Sequence, residues 1–408
     1  MMDAVNVVLF RHSPRPVELW HLNDRDAIIL SHESSSSRYK SVPPVDRSMV
    51  RFLVDFEVPT LFRAIRDIAR EHTIRSVSTL AEEDIATAGL LEEFFVTGVS
   101  EYAVGTLFKD KLFMRSALEG KIPQPDFRGL EEFTGTREQL LTEGFGIVKP
   151  RRSAGAQGVY LLNDIDDDEF AALPLCDYIA ESFIQTPRMV TVDGFAVGHD
   201  MRHFYVHEYD ATVLSSLDGR DGIAISTSKV YDESSDLLKA LFESSLRVLK
   251  TIGSRDRVNP FHFEWFIPKD GVPVFCEVGR RFGGLGIPRI ARYAFDAPVL
   301  EDYWSAMAGE ESTAPSLTWD TLARPRRRAI CYARYRVKGE VISAPTSEDF
   351  SMAENAWIWA KPGDEFSENT GVVTDNAAIF EFIGADAEEV EEKLAQARSI
   401  IDERLVIQ

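Results

Sequence analysis

The stretch that most constrains this chain is FHFEWFIPKDGVPVFCEVG, residues 261–279, in which two runs of aromatic and β-branched residues flank Asp270-Gly271. Asp-Gly between such runs is a strong signal for a two-residue hairpin, because glycine accepts the positive φ of the tight turn. With Asp270 and Gly271 as the loop, Pro268 faces Pro273 at a non-hydrogen-bonded pair, where no ladder donor is needed. The same register sets Glu264 directly opposite Glu277. Strict alternation puts His262 on the face of the two glutamates and turns Phe261, Phe263 and Trp265 to the other.

Like charges opposed in this way have β-carbons ~4.5–5.5 Å apart and destabilise the pairing, so a cation between them is the natural resolution. Hard oxygen ligands suit Mg²⁺, which commonly takes one or two carboxylates together with substrate phosphates. The alternative is a half-exposed hairpin whose carboxylates are simply hydrated.

A second element, IVKPRRSAGAQGVYLL, ends a strand at Lys149 and reaches the next strand, Tyr160 to Leu162, through a loop containing Gly155 and Gly158. Such a loop aims backbone N–H groups at phosphate oxygens while the lysine supplies charge. It lacks the G-x-x-x-x-G-K-[ST] spacing and the following helix of a Walker loop. Taken alone, it reads more readily as a mobile hairpin.

Around these motifs the first hundred residues alternate short β-rich runs with helical periods, as expected for a parallel sheet covered by helices. The strands are Val5 to Phe10, Ala27 to Leu30 and Arg75 to Leu80, with a helix carrying Leu61, Ile65 and Ile68 after Pro59. One helix is expected from Thr106 to Leu118, bearing Lys109 and Lys111. The segment from Pro315 to Pro325 reads as a connection into a β-rich final lobe, whose last helix shows the stripe Val390, Leu394, Ala397, Ile401 and Leu405. The expected division is 1–105, 106–315 with a small subdomain at about 125–185, and 316–408.

A length of 408 residues fits two or three lobes. A net charge of -21 disfavours nucleic acid and anionic membranes as nonspecific partners, so an anionic ligand needs local Lys, Arg and N–H groups. No apolar run approaches the ~18–20 residues of a membrane span. The N-terminus has no secretory pattern, and Cys176, Cys276 and Cys331 match no metal spacing, so a reduced cytoplasmic protein is the simplest expectation.

Read in order with KDKLFMRSAL, YIAESFI and EVGRRFGG, these motifs resemble the ATP-grasp superfamily, especially carboxylate–amine ligases similar to L-amino-acid ligases and the biotin carboxylase group. The resemblance spans nearly the whole chain. It implies an α/β fold, α+β in parts, with an N-terminal Rossmann-like domain, a small nucleotide lid subdomain and a C-terminal β-rich lobe. It also implies ATP and one or two Mg²⁺ ions, small carboxylate and amine substrates, and a homodimer.

By position, Lys111 and Lys149 are similar to the two lysines that contact nucleotide phosphates. Glu181, Ser182, Phe183 and Ile184 are similar to the hinge that reads adenine, with Glu181 facing the base. Glu264 and Glu277 match the metal carboxylates, and Arg281 matches the arginine near the transferred phosphate and the substrate carboxylate. Two departures stand out. Gly279 replaces the usual Asn two residues after the second carboxylate, and Thr186, Pro187, Arg188 and Met189 replace the acidic ribose contact.

Other signals are weaker. His199, His203 and His207 recur every four residues, but Phe204, Tyr205 and Val206 favour a strand, and no H-E-x-x-H arrangement is present. Arg202, His203, His262, Arg280, Gly283 and Gly284 are candidate substrate contacts, since planar guanidinium groups suit a carboxylate. Arg289 and Arg292 read equally as surface ion pairs, and Arg326 to Arg328 as a solvated edge. The loop Arg11 to Arg15 follows the first strand, where open α/β sheets meet ligands. A bicarbonate-using carboxylase would share this nucleotide machinery, and a nucleotide-binding protein without turnover is the non-enzymatic alternative.

Overall fold

In a computed structural model of the chain, the structure describes residues 3–40, 43–96, 98–186, 188–217, 221–310, 314–368, 370 and 375–408. Pro187, in the stretch that stands in place of an acidic ribose contact, lies outside the described residues.

Strands β1 (Ala4–Leu9), β2 (Ala27–His32), β3 (Val50–Leu53) and β4 (Thr73–Thr79) form a parallel sheet in the order β3-β2-β1-β4. Val5, Val7, Val8 and Leu9 are all buried, as in a parallel sheet covered on both faces. Helix α1 (Val58–Ile68), with Pro59 in its first turn, buries the stripe Leu61, Ile65 and Ile68. After β4 a short turn, Glu82–Asp84, leads into α2 (Ile85–Phe95), which crosses α3 (Glu101–Lys109). A β-carbon on Gly89 would lie 2.4 Å from the Glu101 carbonyl oxygen, so only glycine permits this approach.

The single helix expected from Thr106 to Leu118 is two. Asp110 is extended (φ −96°, ψ 109°), and α4 (Lys111–Leu118) starts afresh beyond it. The Leu112 N–H donates to the Asp110 carboxylate at 3.1 Å, the behaviour of an aspartate that serves better as an N-cap than inside a helix. The break sends the lysines on either side of it to different partners, Lys109 to Glu82 and Lys111 to Glu277.

A small antiparallel unit follows, built from β5 (Phe127–Gly129), α5 (Arg137–Thr142), β6 (Ile147–Pro150), β7 (Tyr160–Leu161), α6 (Asp167–Ala172) and β8 (Tyr178–Glu181). Its sheet order is β5-β8-β6-β7. Leu130, Leu140, Val148, Leu162 and Phe170 give it a core of its own.

The scaffold of the site is an eight-stranded antiparallel sheet. Its earlier elements are β9 (Met189–Val197), β10 (Asp200–Tyr209), β11 (Gly222–Thr227), α7 (Ser235–Ile252), β12 (Val258–Phe266) and β13 (Val274–Gly279). Its later ones are α8 (Ile287–Phe295), α9 (Val299–Met307), β14 (Arg328–Tyr335), β15 (Asn355–Ile358), β16 (Asn376–Gly384) and α10 (Ala387–Arg404). The order is β13-β12-β9-β10-β11-β14-β16-β15, so the main strands after residue 316 lengthen the central sheet.

One sheet face packs on α7, where Phe204 meets Phe242 edge-on. Phe261, Phe263, Trp265 and Phe275 are fully buried, each ring against the next. Burial of each such side chain contributes roughly 1.5–3 kcal/mol. The other face is partly covered by α8 and α9, through Tyr205 against Phe295 and Phe195 against Tyr303. What those helices leave uncovered is where the carboxylates lie.

The hairpin departs from its expected form. Pro268 and Pro273 are not a ladder pair, because β12 ends at Phe266 and β13 begins at Val274, leaving a longer loop with a Pro268–Gly271 turn inside it. Glu264 nevertheless pairs with Glu277, because the register shifts by one residue at Cys276, between Trp265↔Phe275 and Glu264↔Glu277. This bulge brings the strand back into the register that a two-residue loop would have set.

Candidate functional site

The bulge has a partner. Arg115, on α4 and almost fully buried, donates from Nη1 to the Phe275 carbonyl at 3.0 Å and from Nη2 to the Cys276 carbonyl at 2.6 Å. It also forks onto Glu181 of β8, at 2.9 and 3.1 Å. Lys149 of β6 reaches the same carboxylate at 2.9 Å. Burial pushes the Glu181 carboxyl up, but Arg115 and Lys149 outweigh it and hold it below the usual carboxylate range. One arginine thus joins α4, the small unit and the edge of the central sheet at the place where Glu277 emerges.

Lys111 opens α4. Its ammonium lies 3.3 Å from Glu277 Oε2 and donates to the Ser153 carbonyl at 2.8 Å. Burial raises the Glu277 carboxyl, yet Lys111 and Lys149 together hold it low. Across the ladder, Glu264 accepts from the Tyr209 hydroxyl at 2.9 Å and lies 3.6 Å from His262 Nε2. The His262 Nδ1 faces Asp193 at 3.0 Å, and Asp193 also accepts from the Gly283 N–H at 2.7 Å. Burial works against the His262 imidazolium, but Asp193 lifts its pKa to about 9, so the ring stays charged at neutral pH.

The loop between β6 and β7 carries Gly155 and Gly158 at positive φ, 63° and 71°. It is seated on the start of α4. Arg151 forks onto Asp110 at 3.0 and 2.9 Å, and Arg152 adds a third contact at 3.0 Å. Past β8, the backbone of Glu181 and Ser182 is engaged by Gly146 and Asp126, whereas Phe183 is half exposed and Ile184 partly so.

Arg281 follows β13. Its Nε donates to Glu82 at 2.8 Å and its Nη1 to the Phe282 carbonyl at 2.9 Å. Lys111, Lys149, Glu181, Glu264, Glu277, His262, Gly283 and Arg281 are therefore linked through shared partners and one sheet face. Gly284 adjoins Gly283, and a β-carbon there would meet nothing within 4 Å.

Three candidates are not brought to this group. His203 is buried under α9 between Tyr205 and Asp302, Arg202 holds the Ala314 carbonyl and Asp200, and Arg280 is paired with Glu101 of α3 at 2.6 Å. Arg289 and Arg292 also have carboxylate partners, Glu381 and Glu18.

Sequence reasoning did not single out Asp110, Arg115, Asp193, Tyr209 or Glu82. Asp193 carried a usable signal, an aspartate inside a run otherwise suited to a buried strand, and so did Asp110, a residue better suited to a cap than to a helix interior. Among the described residues, no three or more His, Cys, Asp or Glu side chains gather closely enough to hold a metal by themselves. The donors that fit a hard cation here are the opposed pair Glu264 and Glu277, already beside the positive charge of Lys111.

No family model and no curated protein matches the sequence. Solved structures do match over their full length. An L-amino acid ligase from Bacillus licheniformis superposes with TM-score 0.75 at 16% identity, covering 100% of both chains. Phosphoribosylglycinamide synthetase from Anaerococcus prevotii gives 0.67 at 11% identity, again covering 100% of each. N5-carboxyaminoimidazole synthetase from Staphylococcus aureus, solved with ADP, gives 0.66 at 14%, covering 97% of this chain and 98% of that one. The chain has the ATP-grasp fold, shared from end to end with these synthetases and ligases.

Proposed function

We propose that this protein is an ATP-dependent carboxylate–amine ligase, forming an amide between amino acids or amino-acid-like substrates. The observation that carries the reading is the convergence of Lys111, Lys149 and Arg281 on the face where Glu264 opposes Glu277. Phosphoryl transfer asks for positioning and charge neutralisation more than for covalent help, and this set supplies both.

In this reading Lys111 and Lys149 exchange their carboxylate partners for phosphate oxygens, and the base lies against Phe183 and Ile184. Glu264 and Glu277 would hold one or two Mg²⁺ ions, with phosphate oxygens and water completing the shell; bound metal offsets the charge of the phosphates. The Gly155 loop covers the phosphates and excludes water. Arg281 orients the substrate carboxylate, one oxygen of which attacks the γ-phosphorus as ADP leaves. The amine nitrogen then attacks the acyl carbon of the acylphosphate, releasing phosphate and, after proton loss, the amide.

The ADP bound to the Staphylococcus aureus synthetase and the activity in the Bacillus licheniformis ligase's name support this assignment. We read residues 1–105 and 316–408 as the parts that shape the substrate pockets around the nucleotide region. Three unpaired cysteines agree with a reducing cytoplasm.

The test is ADP release over a panel of amino-acid pairs with Mg-ATP, followed by the mass of the product. A product heavier than neither substrate, or ADP formation that requires bicarbonate, would overturn the ligase reading.

A further inference from the structure

Glu82 belongs to the N-terminal unit, in the turn between β4 and α2, yet its carboxylate lies in the site described above. Oε2 accepts from Arg281 Nε at 2.8 Å, and Oε1 accepts from Lys109 Nζ at 3.0 Å. The three side chains are mostly covered, with 20%, 21% and 13% of Glu82, Arg281 and Lys109 exposed. Lys109 is the last residue of α3, directly before the break at Asp110, so this carboxylate ties together three segments distant in sequence.

Gly279 leaves room for it. A β-carbon built there would lie 3.0 Å from Glu82 Oε2 and 3.4 Å from Arg281 Cγ. A side chain at 279 would press on this carboxylate, which would have to give by a few tenths of an ångström. The bare backbone and the reach of Glu82 are therefore complementary.

The contact also sets how Arg281 can act. With Nε on Glu82 and Nη1 on the Phe282 carbonyl, the guanidinium plane is fixed by two bonds, neither of which uses Nη2. A fork held in this way is already oriented toward a bound anion, whereas a free arginine side chain would lose rotamer freedom on binding.

We infer that Glu82 is a positioning residue for the proposed reaction: it fills the space left by Gly279, holds Arg281 by Nε, and makes docking of the N-terminal unit a condition for phosphoryl transfer. The inference rests on the ligase reading for its chemistry, but its geometric half is testable without turnover.

The experiment compares wild type with Glu82→Ala, Glu82→Gln, Gly279→Asn and the Glu82→Ala/Gly279→Asn pair. Modification of Arg281 by phenylglyoxal, followed by peptide mass, reads the guanidinium directly. Labelling at least about three-fold faster in Glu82→Ala than in wild type is expected; an unchanged rate overturns the inference whether or not the protein turns over.

In the steady state, Glu82→Ala should lower kcat about 10- to 100-fold with KM for ATP within about two-fold, a split that general loosening of the fold would not produce. Glu82→Gln keeps an acceptor for Arg281 and should recover part of kcat. Gly279→Asn alone should cost as much as Glu82→Ala, while the pair should lose less than the product of the two single effects. Full additivity, or an equal loss in Ala and Gln variants, overturns it. Absence of turnover in wild type with any substrate would instead count against the ligase reading, leaving the labelling result to decide the role of Glu82.

Discussion

The Lys111 ammonium lies 3.3 Å from Glu277 Oε2, so a lysine proposed for phosphate and a carboxylate proposed for metal satisfy each other before either meets a ligand. Removing the carboxylate charge should therefore act twice. Glu277→Gln frees Lys111 from its counter-ion while removing a hard oxygen ligand. ADP formation is expected to fall by about 10²-fold or more, the scale seen when a preorganised charge is removed from a transition state. Binding of a nonhydrolysable ATP analogue, followed by calorimetry with and without Mg²⁺, should lose most of its metal dependence. Full turnover with unchanged metal dependence would remove Glu277 from the metal role.

Asp110 makes a second, separable prediction. Its carboxylate both caps α4 and takes Arg151 and Arg152 from the glycine loop. Asparagine caps a helix about as well as aspartate, but it has no charge to hold two guanidinium groups. Asp110→Asn should thus keep the cap on α4 while loosening the loop. Limited trypsin digestion checks this: cleavage after Arg151 or Arg152 is expected to accelerate several-fold, with substrate-independent ATP hydrolysis rising alongside it.

The two predictions also mark how far the sequence could be read. Glu264 and Glu277 were legible because strand alternation and a turn signal are local properties, and their pairing survived although the loop is longer than two residues. What compensated was the bulge at Cys276, and its partner, Arg115 reaching the Phe275 and Cys276 carbonyls, is tertiary. The break at Asp110 was readable in principle, since aspartate between two lysines is a better cap than a helix interior residue; the apolar period across Phe108 and Leu112 masked it. Glu82 was not readable at all. Nothing local distinguishes it from Glu83 beside it, and its role depends on Arg281, far along the chain, coming to lie against the N-terminal unit.

Arg115 carries the third prediction. Arg115→Met keeps much of the volume but leaves the buried Glu181 carboxylate with Lys149 alone and takes the donors from two carbonyls. Breaking one member of a buried ion pair costs about 3–5 kcal/mol, because the remaining charge is left uncompensated. Urea denaturation should show that loss. Adding Glu181→Gln would strip the buried Lys149 of that carboxylate, so only the triple variant Arg115→Met/Glu181→Gln/Lys149→Met, which removes all three charges, should be less destabilised than Arg115→Met; a triple variant worse than the sum of its singles would refute this account of the contact.

The last prediction concerns acid. His207 is fully buried on β10, and neither ring nitrogen has a hydrogen-bond partner among the described residues. Burial lowers its pKa to about 4 from 6.5, with Asp193 opposing the shift and His262 reinforcing it. The folded state therefore holds this ring neutral, while the unfolded chain takes up a proton as pH falls through 6.5. Stability attributable to His207 is fully present above that value and is lost progressively as pH falls toward 4, by about 2 kcal/mol between pH 7 and pH 5. His207→Leu removes the titrating group at similar volume. Its free energy of unfolding should fall less than that of wild type over this interval, by about that amount, in denaturant titrations at the two pH values. Parallel losses in both proteins would place the acid sensitivity in another group.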